Sequence, residues 1–282
     1  MKTSTNRNPP SSILHPSSPN QKRIGVFDSG LGGLTVVRAL MERLPHIDIV
    51  YVADTANAPY GEKSHEQIRL FSENITNYLL RNHSIDALVI ACNTATSAAI
   101  AHLRHLYPAL PIVGTEPGIK PAMKVTRSHK VGIMATPATL AGDKYQELAD
   151  KLYNGTDIEL FEQACPGLAE QIEAGKTEDP ATIDMLEKWL EPMKKAGVDT
   201  VVLGCTHYPL AADAIKQVMG DDIRLVETGG AIAGRLQELL AMESNEKTKA
   251  TVDVFATGFI DSGIVGNILG EHTTVERLIL DR

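Results

Sequence analysis

Asp86-Ala-Leu-Val-Ile-Ala-Cys92-Asn-Thr94 returns 113 residues later as Asp199-Thr-Val-Val-Leu-Gly-Cys205-Thr-His207. Each copy has an acidic residue, a mostly apolar run, a small residue and then a cysteine with a threonine close behind. A second echo accompanies the first. Ile24-Gly-Val-Phe-Asp-Ser29 and Val131-Gly-Ile-Met-Ala-Thr136 are apolar runs entering a small polar turn, 107 residues apart. Two offsets that nearly agree indicate two related units, each presenting one cysteine at the end of a strand. In parallel α/β sheets such strand ends are where ligands gather.

Working outward, short apolar runs alternate with amphipathic stretches, the pattern of β/α units around a mostly parallel sheet. Strands are expected at Ile24–Phe27, Ile49–Val52, Ala87–Ala91, Ile112–Val113, Val131–Met134, Ile158–Leu160 and Thr200–Leu203. Helical spacing of apolar residues marks Thr35–Arg43, His65–Arg81, Ala98–Leu106, Ala138–Leu152, Thr182–Lys195 and Ala211–Val218. With 282 residues and 43% hydrophobic content, two cores of ordinary domain size fit. The first 21 residues hold 14 Ser, Thr, Pro or Asn, too polar to offset their ordering entropy, so residues 1–21 are expected to be a disordered arm.

A net charge of -8 argues against a broad nucleic-acid-binding face. No apolar run approaches the ~20 residues of a membrane span, and residues 1–21 lack the continuous apolar stretch of a secretory signal, so export is not expected. Three cysteines, an odd number, do not make a disulfide framework and suit a reducing cytoplasm.

Cys92 and Cys205 each end an apolar strand and precede a helix, where a thiol is expected to have a lowered pKa. Cys165 has no such echo and reads as a structural thiol. Asp28-Ser-Gly-Leu-Gly-Gly33 is a post-strand turn whose exposed amides suit an anionic group. It lacks the Gly-Lys-Ser/Thr of a phosphate loop and the glycine spacing of a dinucleotide site. Zinc on Cys205 and His207 would need further ligands in paired spacings, and none are present. Cys-His hydrolysis with His207 as base would leave Cys92 unused.

Val26-Phe-Asp-Ser-Gly-Leu-Gly-Gly-Leu-Thr35, Ala58-Pro-Tyr-Gly61, Ala91-Cys-Asn-Thr-Ala95 and Leu203-Gly-Cys-Thr-His207 resemble, in order, the signature segments of the cofactor-independent glutamate racemases. Gly114 to Ala122, Ala135-Thr-Pro-Ala-Thr139, Ala164-Cys-Pro with Glu173, and Ala256-Thr-Gly258 are similar to lesser ones. The resemblance implies an α/β fold of two similar lobes with mostly parallel sheets, related by pseudo-symmetry, with the active site in the cleft between them. It implies a first lobe of residues 22–114 plus 226–282 and a second of residues 115–225. It also implies Cys92 as base for D-glutamate, aided by Asp28, and Cys205 as base for L-glutamate, aided by His207. Substrate contacts would fall to Asp28, Ser29, Tyr60, Gly61, Asn93, Thr94, Thr136, Thr139, Thr206 and His207, with Glu173 as an auxiliary carboxylate. No cofactor and no metal is expected.

Two departures stand out: Gly114-Thr-Glu-Pro-Gly118 is more polar than the family's version, and the N-terminal arm is not universal. Some proteobacterial members carry such an extension and respond to a peptidoglycan precursor. The expectation is a cytoplasmic isomerase supplying D-glutamate for peptidoglycan, a homodimer or a monomer in equilibrium with one, with no direct contact to nucleic acid or membrane. Aspartate racemase is the nearest alternative, although that family usually lacks the Asp-Ser-Gly opening and places Glu where His207 stands. A gyrase-binding protein is the alternative from a different class.

Overall fold

The computed structural model describes residues 21–116, 118–153, 156–241 and 251–280. The expected arm therefore lies outside the described residues, apart from Gln21. Strands β1 (Arg23–Asp28), β2 (Asp48–Ala53), β3 (Ala87–Ile90) and β4 (Ile112–Gly114) come first. They are followed by β5 (Lys130–Ala135), β6 (Glu159–Ala164), β7 (Thr200–Gly204) and β8 (Arg224–Val226), then β9 (Val252–Ala256) and β10 (Val275–Arg277). The helices are α1 (Leu34–Arg43), α2 (His65–His83), α3 (Asn93–Leu106), α4 (Ile119–Val125), α5 (Pro137–Leu140) and α6 (Asp143–Tyr153). Then come α7 (Leu168–Glu173), α8 (Pro180–Ala196), α9 (Ala212–Met219), α10 (Gly229–Leu239) and α11 (Ser262–Leu269).

The strands form two sheets, and every pairing is parallel. The six-stranded sheet has the order β10-β9-β2-β1-β3-β4 and the four-stranded sheet β6-β5-β7-β8. The segment β2-β1-β3-β4 thus reappears as β6-β5-β7-β8, the pseudo-symmetry that the sequence echo indicates. All seven strands expected from the sequence form, each within a few residues of its expected limits. Helices cover both faces of each sheet, which is why the central strands are apolar on both sides. On the first sheet, Val37 and Leu40 of α1 join Ile232 and Leu236 of α10 on one face, while Ile75 and Leu79 of α2 join Ala99 and Leu103 of α3 on the other. On the second, Leu186 and Leu190 of α8 oppose Ile119 and Ala122 of α4 across the strands. Each Val, Leu or Ile side chain among these, fully buried, contributes roughly 1.5–3 kcal/mol.

The acidic residue that opens each echo has a structural role. Asp86 accepts the Arg23 N–H at 2.9 Å, fixing the start of β1 beside β3. Asp199 accepts the Arg127 and Ser128 amides at 2.7 and 2.9 Å and the Thr126 hydroxyl at 2.6 Å, securing the turn that leads into β5.

Two helices differ from the sequence expectation. α3 begins at Asn93 rather than Ala98, because the Cys92 sulfur accepts the Ala95 N–H at 3.4 Å and so caps the helix. The expected single helix over Ala138–Leu152 is split into α5 and α6 around Gly142. A β-carbon there would lie 2.8 Å from Ser97 Oγ, so the glycine lets the junction pack against α3.

Candidate active site

Both sheets share an order in which successive crossovers leave the central strand in opposite directions, opening a crevice at the carboxyl ends of β1 and β3 and of β5 and β7. These crevices face one another. Asp28 ends β1, Cys92 follows β3, Thr136 follows β5 and Cys205 follows β7. Together they line one cavity of about 400 Å³. Every candidate residue from the sequence reaches it: Cys92, Cys205, Asp28, Ser29, Tyr60, Gly61, Asn93, Thr94, Thr136, Thr139, Thr206, His207 and Glu173.

The two cysteines have different settings. Cys92 caps α3, and its sulfur lies 3.7 Å from the Ser29 hydroxyl. Cys205 is separated from α9 by a short 3-10 turn, Tyr208–Ala211, and its sulfur lies 3.7 Å from His207 Nδ1. The sequence-based expectation of a lowered thiol pKa at a helix N-terminus does not hold for Cys92. Burial, with the nearby Asp28 charge second, pushes its pKa well above the usual thiol range and outweighs the helix amide.

His207 is buried, which by itself would lower its pKa, but its hydrogen bonds to Cys205 and Glu173, and then the charges of Cys205 and Asp28, raise it well above the ordinary value. Nδ1 lies 3.7 Å from Cys205 Sγ, while Nε2 lies 2.8 Å from Glu173 Oε1 and 3.2 Å from the Gly32 amide nitrogen. Glu173 loses solvation in this half-buried position, yet its bonds to His207 and to the Leu31 amide hold its pKa below normal. Burial raises the Asp28 pKa, offset in part by His207 and by the Gly33 and Ser29 amides, which lie 2.7 and 2.8 Å from its carboxylate oxygens.

The glycine turn therefore does bind anionic groups, but they are the protein's own carboxylates. Ser29 and Gly33 amides hold Asp28, and the Leu31 amide holds Glu173. Its glycines have a further function. A β-carbon on Gly30 would fall 2.0 Å from Glu173 Oε1, and one on Gly32 would fall 2.3 Å from His207 Nδ1. Only a backbone without side chains lets the lobes close this tightly. Thr35 Oγ1 donates to the Thr206 carbonyl at 3.0 Å, and Asn93 Nδ2 donates to the Gly204 carbonyl, adding direct bonds between the lobes. Asn93 Oδ1 has no hydrogen-bond partner among the described residues and is buried at the cavity wall.

The structure adds wall residues that the sequence reading passed over, chiefly Cys165, Gly167 and Glu170 from the β6–α7 region and Glu62 beside Tyr60. Cys165, read as a structural thiol, is buried at the cavity wall, and burial pushes its pKa to about 12. It follows β6, whose counterpart β2 ends without a cysteine, so the repeat gave no signal for it. No Lys or Arg lines the cavity among the described residues. Nor is there a cluster of three or more His, Cys, Asp or Glu side chains disposed to hold a metal ion.

A family model described as Asp/Glu/Hydantoin racemase matches residues 33–236, a span that includes both cysteines. The chain belongs to this racemase family. Within it, this racemase is 55% identical to the glutamate racemase of Sulfurovum sp., over 89% of its own length and 95% of that relative. Its structure superposes on glutamate racemase isoform RacE1 from Bacillus anthracis with a TM-score of 0.81 at 31% identity, covering 92% of this chain and 98% of the other. The Escherichia coli glutamate racemase, solved with L-glutamate and the activator UDP-MurNAc-ala, gives the same TM-score and identity over 93% of this racemase and 100% of that chain. The racemase is thus an amino-acid isomerase of the glutamate group.

Proposed function

We propose that this racemase interconverts L- and D-glutamate without a cofactor by a two-thiol mechanism, and that the D-glutamate serves peptidoglycan synthesis. The observation that carries the reading is that Cys92 and Cys205, from opposite lobes, line the same cavity, each with its own polar partner. Racemisation needs a base on one face of the α-carbon and a proton donor on the other. In the direction from L-glutamate, Cys205 beside the His207 cation takes the α-proton. Cys92, whose pKa burial raises so that it keeps its proton, delivers that proton to the opposite face. In the reverse direction Cys92, its proton passed to Asp28, takes the α-proton, while Cys205, carrying a proton supplied by His207, delivers it to the opposite face.

Neutral donors from Ser29, Asn93, Thr94, Thr136, Thr139 and Thr206, with backbone amides near Tyr60 and Gly61, are assigned to the substrate carboxylates. A Lys or Arg at the wall would bind those carboxylates more strongly but would also lower the energy of thiolate and substrate before reaction, which speeds nothing. Glu173 is assigned to holding His207 in its cationic form. The lobe limits follow the chain's two crossings between sheets, after β4 and after β8, which supports residues 22–114 plus 226–282 and residues 115–225 as the two units.

The test is racemisation of L-glutamate in deuterated water, with aspartate run in parallel. Newly formed D-glutamate should carry solvent deuterium while unreacted L-glutamate stays protiated at early times, because two different thiols act on two faces. Deuterium appearing equally in recovered substrate would indicate a single base, and turnover of aspartate alone would move the assignment to aspartate racemase. Cys92→Ala and Cys205→Ala should each stop racemisation in both directions. A folded variant within about tenfold of wild type, a barrier change under about 1.4 kcal/mol, would refute the mechanism.

A further inference from the structure

The residue after β9, Thr257, reaches back to the loop that leaves β2 from 203 positions along the chain. Its hydroxyl donates to Asp54 Oδ1 at 2.7 Å and accepts the Ala56 N–H at 3.0 Å, while its own N–H donates to the Ala53 carbonyl at 3.0 Å. The next amide, Gly258 N–H, donates to Thr55 Oγ1 at 3.0 Å. The loop that leaves β2 is thus fastened along its first residues to the C-terminal segment.

Asp54 is fully buried, and among the described residues no Lys, Arg or His forms an ion pair with it. Its carboxylate is held by neutral donors alone. Thr257 Oγ1 bonds to Oδ1, Tyr60 OH bonds to Oδ2 at 2.6 Å, and Asn57 Nδ2 reaches both oxygens at 3.1 and 3.0 Å. A buried carboxylate without a counter-ion depends on each such donor, because an unmet acceptor carries the full cost of its lost hydration. The Tyr60 bond is short and charge-assisted, so the hydroxyl follows the carboxylate. Tyr60 is the one member of this network that also lines the catalytic cavity together with Cys92 and Cys205, whereas Thr257 and Asp54 lie behind it.

We infer that Thr257 is a positioning residue for substrate binding, acting through Asp54 and the Tyr60 hydroxyl on the wall of the cleft. The inference rests on the cleft being the glutamate site. Thr257 touches neither thiol, so its loss acts on where the wall stands rather than on proton transfer. Valine has nearly the same shape as threonine but neither donates to Asp54 nor accepts from Ala56.

The experiment compares Thr257→Val, Thr257→Ser, Tyr60→Phe and the Tyr60→Phe/Thr257→Val double variant, each checked for wild-type circular dichroism. Thr257→Val should raise KM for glutamate about tenfold with kcat within about threefold of wild type, and Thr257→Ser should restore KM. In the Tyr60→Phe background the valine should change KM by less than about twofold, since the hydroxyl through which it acts is already gone. Amide hydrogen exchange over residues 55–62, measured without substrate, should quicken in Thr257→Val and return to normal in Thr257→Ser. A wild-type KM in Thr257→Val, an equal KM rise in the Tyr60→Phe background, or unchanged exchange would each overturn the inference. A wild-type protein inactive on glutamate would instead sink the proposed substrate, and the exchange measurement would still decide the positioning role.

Discussion

Asp28 is fully buried and receives the Ser29 and Gly33 amides from its own turn and the Thr206 hydroxyl, at 3.4 Å, from the other lobe. Burial is the first cause of the raised Cys92 pKa and the bonds to Cys205 and Glu173 the first of the raised His207 pKa, and the Asp28 charge adds to both, so one carboxylate acts on groups on both sides of the cleft. Cys165 shares the cavity wall but has no such partner. Its thiol donates to the Gln163 carbonyl at 3.5 Å, and its carbonyl accepts the Tyr208 hydroxyl at 3.3 Å. Only the first of these contacts involves the side chain, and a serine hydroxyl can make it. Cys165→Ser should therefore retain kcat within about tenfold of wild type, against the near-complete loss at the other two positions. Steady-state racemisation by the purified variant checks this, and loss as deep as that of Cys92→Ala would make Cys165 part of the chemistry.

The turn between β1 and α1 carries the close approach of the lobes, and its glycines set how near His207 can come. In Gly32→Ala the new β-carbon would overlap the imidazole at 2.3 Å from Nδ1, so either the turn or the ring must move. The expected outcome is a fall in kcat/KM of about a hundredfold, the cost of an ångström-scale misplacement of a catalytic group, with the circular dichroism spectrum preserved. At the far end of α2, His83 is buried against Tyr78, 3.1 Å from its hydroxyl, and its ring lies 5.1 Å from that of Phe255. Burial, aided by the Arg23 charge, lowers its pKa from 6.5 to about 4. The folded value lies below the unfolded one, so the unfolded chain takes up this proton first as pH falls. Stability is then lost between pH 6.5 and about 4, by no more than about 1.4 kcal/mol per pH unit. His83→Gln should lose less stability than wild type between those pH values in urea unfolding, and parallel curves for the two proteins would refute this role.

The cleft is assembled from both lobes of a single chain, with Cys92 on one side and Cys205 on the other. A chain inactivated at Cys92 therefore cannot borrow the missing thiol from a chain inactivated at Cys205. Mixing Cys92→Ala with Cys205→Ala, including after joint unfolding and refolding, should restore no racemisation. Recovery towards a quarter or more of wild-type activity would show that copies exchange lobes or share a site. Bonds across the cleft such as Thr35 to Thr206 and Asn93 to Gly204 lie next to Cys92 and Cys205 in the chain, so separating the lobes and dismantling the cavity are the same event.

The paired echoes around Cys92 and Cys205 were enough to specify parallel β/α units, two related lobes and a cysteine at each central crevice, because buried strands and strand-end turns leave local, periodic marks in the chain. All seven strands expected from those marks are present. The short strands β8, β9 and β10 were not legible. They hold three to five residues each, and it is pairing with neighbours already in place that makes them strands. The candidate residues could be named from their motifs, but their electrostatics could not. A helix N-terminus suggested a lowered pKa for Cys92, and only its burial in the packed structure supplies the desolvation that raises it. In the same way, Cys165 and Thr257 fall in segments similar to lesser family motifs, but nothing in the sequence sets Cys165 at the cavity wall or Thr257 behind Tyr60. Burial and long-range hydrogen bonds join residues distant along the chain, and they exist only once the strands have been brought side by side.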